Sequence, residues 1–108
     1  MQFDKDLQSE HKALFLEARE FLLSFEGIQE TKKERITTYS DINGGICHMR
    51  TMPYGIDFGF LKGSKMKDKF GLLTGNGKAI RVLPLKKMNK EAIKYYIEQA
   101  IEINTVTK

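Results

Sequence analysis

The chain has 108 residues, the size of one domain able to bury a core of its own, so residues 1 to 108 are expected to form a single unit. Hydrophobic residues make up 41% and charged residues 30%, a balance unlike that of a disordered chain. Net charge is +4, but residues 1 to 30 set seven acids (Asp4, Asp6, Glu10, Glu17, Glu20, Glu26, Glu30) against Lys5, Lys12 and Arg19, whereas between positions 62 and 90 nine bases face only Asp68.

Leu7, His11, Leu14, Phe15, Ala18, Leu22 and Phe25 recur at three- and four-residue intervals, which predicts an amphipathic helix over residues 6 to 26. Asp4 or Asp6 is a candidate N-cap and Gly27 a candidate stop. Residues 29 to 33 read as a polar linker. Residues 35 to 42, with Ile36, Thr37, Thr38 and Tyr39, favour a strand. Asn43-Gly44 then predicts a tight hairpin turn made with positive φ, and residues 46 to 51 the returning strand. After a second turn at 53 to 55, Ile56, Phe58 and Phe60 alternate with Asp57, Gly59 and Leu61, the clearest period of two in the chain.

Residues 62 to 78 read as a long Lys- and Gly-rich loop in which Phe70, Leu72 and Leu73 tuck onto the domain edge. Strand character resumes over 79 to 83 and ends at Pro84, which cannot donate to a ladder. Asn89 predicts the cap of a second helix, whose stripe of Ala92, Ile93, Tyr96, Ile97, Ala100 and Ile101 runs to near Asn104. Short turns between successive strands require a largely antiparallel sheet. The expected fold is therefore an α+β two-layer sandwich of about four strands or more, in the order α-β-β-β-loop-β-α. If Ile56, Phe58 and Phe60 are not all covered by the helices, an apolar sheet face is left for a homodimer.

Cys47 is the only cysteine, which excludes an intramolecular disulfide and multi-thiolate metal sites by counting. With no signal-peptide core in residues 1 to 10 and no apolar run near the roughly 20 residues of a membrane span, a cytoplasmic setting without membrane association is expected. Cys47 and His48, adjacent on a strand, must point to opposite faces, Cys47 toward the core and His48 toward solvent. His11 reads as a half-buried, hydrogen-bonded helix residue. Neither histidine lies in a nucleophile motif, so an enzyme is not expected. Asp57 reads as the partner of Arg50 or Arg81 in a cross-strand ion pair.

The segment from Gly71 to Lys78 ends in Gly75-Asn76-Gly77-Lys78, the kind of glycine-rich backbone that can cradle an anion. It departs from the P-loop pattern at Leu72 and Ala79 and precedes a strand, so a plain tight turn at Gly75 and Gly77 competes with a weaker anion site completed by Lys78 and Arg81. The basic stretch has Phe70 as its aromatic company, so it lacks a stacking platform for single-stranded nucleic acid. Phosphate contacts alone still allow weak non-specific binding.

Gly59-Phe60-Leu61-Lys62-Gly63-Ser64, followed by Gly71-Leu72-Leu73-Thr74-Gly75-Asn76-Gly77-Lys78-Ala79-Ile80-Arg81, resembles the YdhG-like family of small bacterial domains of unknown function. Weaker similarity covers helix 1 and the hairpin, although Ile36 to Ser40 lack the Trp and Pro common in the family's first strand. The resemblance implies an α+β fold with an antiparallel sheet. Some members are described as frataxin-like iron chaperones, which implies iron as a cargo and makes Glu10, Glu17 and Glu20 on helix 1 weak candidate ligands. Together these features lead to the expectation of a non-enzymatic binding or adaptor domain for an anionic ligand or an acidic protein surface. Iron delivery and weak nucleic-acid binding are the alternatives.

Overall fold

A computed structural model describes residues 1–107 of the chain. It has three helices, α1 (Gln2–Leu7), α2 (Lys12–Leu23) and α3 (Lys90–Thr107), and five strands, β1 (Gln29–Lys32), β2 (Thr37–Asp41), β3 (Gly44–Met52), β4 (Gly55–Phe60) and β5 (Arg81–Leu85). Each strand pairs antiparallel with its predecessor, so the sheet runs β1-β2-β3-β4-β5. The architecture is α+β.

The single helix expected over residues 6 to 26 is two. Ser9 breaks it: its Oγ accepts the His11 N–H at 3.0 Å and its carbonyl accepts the Lys12 N–H at 3.1 Å, the local bonding by which serine competes with a helix. The bend turns α1 onto α2, where the Phe3 ring meets the edge of Phe15 at 5.7 Å. Neither Asp4 nor Asp6 is an N-cap, because the helix already begins at Gln2. Asp6 is fully buried instead. One carboxylate oxygen accepts the Thr51 N–H at 3.0 Å, the Thr51 hydroxyl at 2.7 Å and the Gln2 amide at 2.9 Å, fastening α1 to β3.

The polar stretch 29 to 33 is an edge strand rather than a linker. Its signal is hidden because the two residues that turn inward are both charged: Glu30, opposite Tyr39, and Lys32, whose Nζ lies 4.0 Å from the centre of the Phe3 ring. The carboxylate is 10% exposed and receives two bonds from the Arg19 guanidinium, at 2.6 and 2.8 Å, and one from the Tyr39 hydroxyl at 2.8 Å. Burial opposes ionisation of Glu30, but the Arg19 and Tyr39 donors together outweigh it and hold the carboxyl below its ordinary value.

The first hairpin turns at Ile42 and Asn43, one residue earlier than expected, with Asp41 opposite Gly44. Gly44 takes the expected positive φ of 133°, whereas Asn43 does not: the Asp41 carboxylate accepts its N–H at 2.8 Å in an Asx turn. Strand β5 lies two residues further on than expected and includes Pro84, opposite Asp57. This is tolerated because β5 is an edge. Val82 exchanges two bonds outward with Thr74, at 2.8 and 2.9 Å, and Pro84, two residues on, turns its missing donor the same way.

Asn89 caps α3 as expected, accepting the Ala92 N–H at 3.1 Å. The helix does not stop at Asn104, which is buried and donates to the Gly45 carbonyl at 3.0 Å. Phe15, Ala18 and Leu22 of α2 and Ile93, Tyr96 and Ile97 of α3 meet Cys47, Met49, Ile56, Phe58, Phe60 and Leu83 of the sheet in one cluster. Ile56, Phe58 and Phe60 are each 0% exposed, so the helices cover this apolar sheet face.

The Arg19–Glu30–Tyr39 network predicts a pH dependence. A carboxylate held low in the folded state stabilises it above the ordinary carboxyl range and loses that contribution as pH falls through the folded value. In urea titrations Glu30→Gln should be less stable than the wild type by about 2–3 kcal/mol at neutral pH. The gap should close as the pH drops from about 5 to about 3.

Candidate functional site

Strand alternation sends Cys47, Met49, Ile56 and Phe58 to the helices and leaves His48, Arg50, Asp57, Gly59, Val82 and Pro84 on the opposite, uncovered face. Register sets these in two rows. Thr38, His48, Gly59 and Val82 lie side by side across β2 to β5, and Arg50, Asp57 and Pro84 form the next row. The β1–β2 turn, closed by Lys33 N–H to the Ile36 carbonyl at 3.0 Å, brings Arg35 and Ile36 beside them. The result is a cleft of about 270 Å³ lined by Arg35, Ile36, His48, Arg50, Asp57, Gly59 and Val82.

His48 is held in this cleft by the absence of a side chain opposite it. A Cβ on Gly59 would lie 2.5 Å from the imidazole Cε1 and 2.6 Å from Nδ1, so the ring rests directly on the β4 backbone. Burial, reinforced by the charge of Arg50, keeps the His48 imidazole below its ordinary value and therefore neutral near pH 7.

Arg50 and Asp57 are cross-strand partners, yet the expected ion pair is not made. The Tyr54 hydroxyl donates to the Asp57 carboxylate instead. Burial and that acceptor push the Tyr54 hydroxyl up to about 12. Arg81 does not pair with Asp57 either. Among the described residues, neither Arg35 nor Arg50 joins an ion pair, so the cleft holds two guanidinium groups whose charge is not neutralised by contact.

The loop of Gly75, Asn76, Gly77 and Lys78 is exposed and lies outside this cleft. Arg81 folds back on it, one Nη1 donating to the Gly77 carbonyl at 2.6 Å and to the Ile80 carbonyl at 2.9 Å. Ser64 ties the other side, donating to the Lys78 and Ala79 carbonyls at 2.9 and 2.8 Å. The preceding segment is also fastened rather than loose. Asp68 accepts the Leu72 and Leu73 N–H groups and the Tyr96 hydroxyl, while Phe70 meets Tyr95 and Tyr96 edge-on.

A larger groove of about 560 Å³ runs along α3. Lys65 and Lys67 on one wall face Glu98 and Glu102 on the other, so it has no net charge with which to select an anion.

The candidate metal ligands do not share a helix. Glu10 sits in the turn before α2, 3.4 Å from His11 Nε2, while Glu17 and Glu20 are exposed on α2. Among the described residues no three His, Cys, Asp or Glu side chains are grouped to hold a metal ion. Cys47 is fully buried, with its thiol pushed up by desolvation. His11 is half-buried as expected, and its Nε2–H donates to the Pro53 carbonyl at 2.9 Å. No described helix is long and apolar enough to cross a membrane.

Neither the family models, the curated proteins nor the solved structures contain a match to this chain.

Arg35 escapes sequence reasoning because it falls where a linker meets a strand and joins the cleft only through the β1–β2 turn. Arg50 left a signal, since it stands two residues from His48 and so shares its face. Replacing Gly59 by Ala tests the geometry. The new methyl meets a side chain that can swing aside rather than backbone, so the loss of stability should stay below about 1.5 kcal/mol. The His48 ring resonances should nonetheless shift strongly in a proton–carbon NMR spectrum, with those of His11 unchanged.

Proposed function

We propose that this chain is a non-enzymatic binding domain for an anionic ligand, received in the open-face cleft between Arg35 and Arg50. The observation that carries this reading is the diversion of Asp57 to Tyr54, which leaves two guanidinium groups without contacting carboxylates in one concavity. Their planar donor forks suit the oxygens of phosphate or carboxylate groups. The apolar walls supplied by Ile36 and Val82 lower the local dielectric and strengthen the attraction.

Lys78 and its loop serve this reading as outer charge. They contribute steering along the strongly basic 62 to 90 segment rather than contact in the cleft. An acidic segment of a protein is a ligand of the same chemistry. A cytoplasmic setting belongs to the proposal, on the sequence ground that the one thiol has no partner for a disulfide.

Calorimetric titration with inorganic phosphate, pyrophosphate and an acidic peptide tests the reading. Arg35→Ala and Arg50→Ala should each weaken binding about tenfold, the equivalent of about 1.4 kcal/mol. Lys78→Glu should weaken it less, and only at low salt. Unaltered affinity in the double arginine variant would sink the proposal. Unrelated DNA and RNA titrated alongside separate a discrete anion from a polyanionic backbone, whose binding weakens steeply with salt.

A further inference from the structure

We infer that the open-face cleft takes up a proton together with its ligand: a tetrahedral oxyanion of the phosphate or sulfate type, seated between Arg35 and Arg50, draws a solvent proton onto His48 and makes it the third cationic donor. The inference rests on the anion reading above and specifies its ligand class and its pH response.

The geometry supplies the reasons. His48 and Arg50 share one face of β3, two residues apart, and both line the cleft with Arg35. Gly59 lets the imidazole lie on the sheet, which fixes one edge of the ring against the backbone. The neighbours that face the ring from the other strands are Thr38 of β2, Gly59 of β4 and Val82 of β5, none of them charged.

The charged and titratable groups of the cleft region are Arg35, Arg50, Asp57 and Tyr54, and the one carboxylate among them is taken by Tyr54. In the empty cleft, therefore, nothing in contact with His48 favours the imidazolium, and Arg50 opposes it. A doubly charged anion beside the ring reverses that balance. A planar carboxylate has two oxygens and is satisfied by two guanidinium groups. A tetrahedral oxyanion has oxygens to spare for a third donor. The proton comes from solvent, adds to the free ring nitrogen and leaves when the anion leaves, so no bond of the ligand is broken.

The sign of the pH response follows from linkage. His48 stands below its ordinary value without anion and is raised by it, so affinity increases as pH falls through the window between the two values. It levels off outside that window. Each unit by which the anion raises His48 adds up to about a tenfold gain at the acid end.

Sulfate is the probe, because it has no proton of its own to exchange between about pH 5 and 8, where histidine titrates. The ring Cε1–H of His48 should titrate about one unit or more higher in saturating sulfate than without it, while that of His11 serves as the unmoved control. Sulfate affinity of the wild type should rise on acidification, and that of His48→Asn should be weak and independent of pH. If sulfate binds, and Arg50→Ala abolishes the binding, but the His48 midpoint stays where it was, the proton uptake is wrong and the anion site stands. If sulfate fails to bind, or binds equally without Arg35 and Arg50, both the site and its proton fall together.

Discussion

Strands β3 and β4 carry two sequences interleaved residue by residue, one apolar and one polar, and the rest of the molecule is built on keeping them apart. Cys47, Met49, Ile56, Phe58 and Phe60 face the helices, and His48, Arg50, Asp57 and Gly59 face away. A slip of one residue would exchange the two sets and bring an imidazole, a guanidinium and a carboxylate into the core. The register is secured from both sides. Asp6 holds Thr51 from the helical layer, and the irregularity between Tyr39 and Ser40 accommodates Ile46 as an extra residue, so that Ile46 and Cys47 are both buried.

Much of this was legible in the sequence because the signals were periodic. The alternation from Ile56 to Phe60, the stripe of α3 and the Asn89 cap all reflect local rules that tertiary packing reinforces. What escaped was decided at a distance. Strand β1 is polar along its length and is recognisable only once Arg19 is seen to neutralise Glu30 and Tyr39 to donate to it. The break at Ser9 and the continuation of α3 through Asn104 both turn on one side chain choosing its partner. The cleft was half legible: alternation alone sets His48 and Arg50 on one face, but the pairing of Asp57 with Tyr54 and the arrival of Arg35 depend on the shapes of two turns. The candidate loop at Gly75 to Lys78 drew attention through its glycines, whereas the folded chain spends Arg81 on that loop's own carbonyls.

Charge in this molecule is separated, not cancelled. Met1 pairs with Asp4 and Glu34, and Arg19 with Glu30, while Glu10 lies beside His11, all within the N-terminal half. None of these joins the acids of residues 1 to 30 to the bases between 65 and 90. Lys90, for example, lies over the ring of Phe21, 5.8 Å from its centre, rather than beside an acid. The sequence asymmetry therefore survives folding as a field across the surface, available to orient whatever approaches.

The strictly sequential pairing of the five strands bears on how the chain reaches this state. Each strand has to find only the one made just before it, and the connections between β1 and β4 are turns of a few residues, so little loop-closure entropy stands in the way of the first four. Such a sheet can zip from hairpin to hairpin. The slower steps are then the return of β5 after the long basic segment and the docking of α3, whose contacts, such as Asn104 with Gly45, join distant parts of the chain. A newly made chain would thus present its charged, uncovered sheet face early, while its aromatic face, packed on one side by α2, is completed only when the last helix docks.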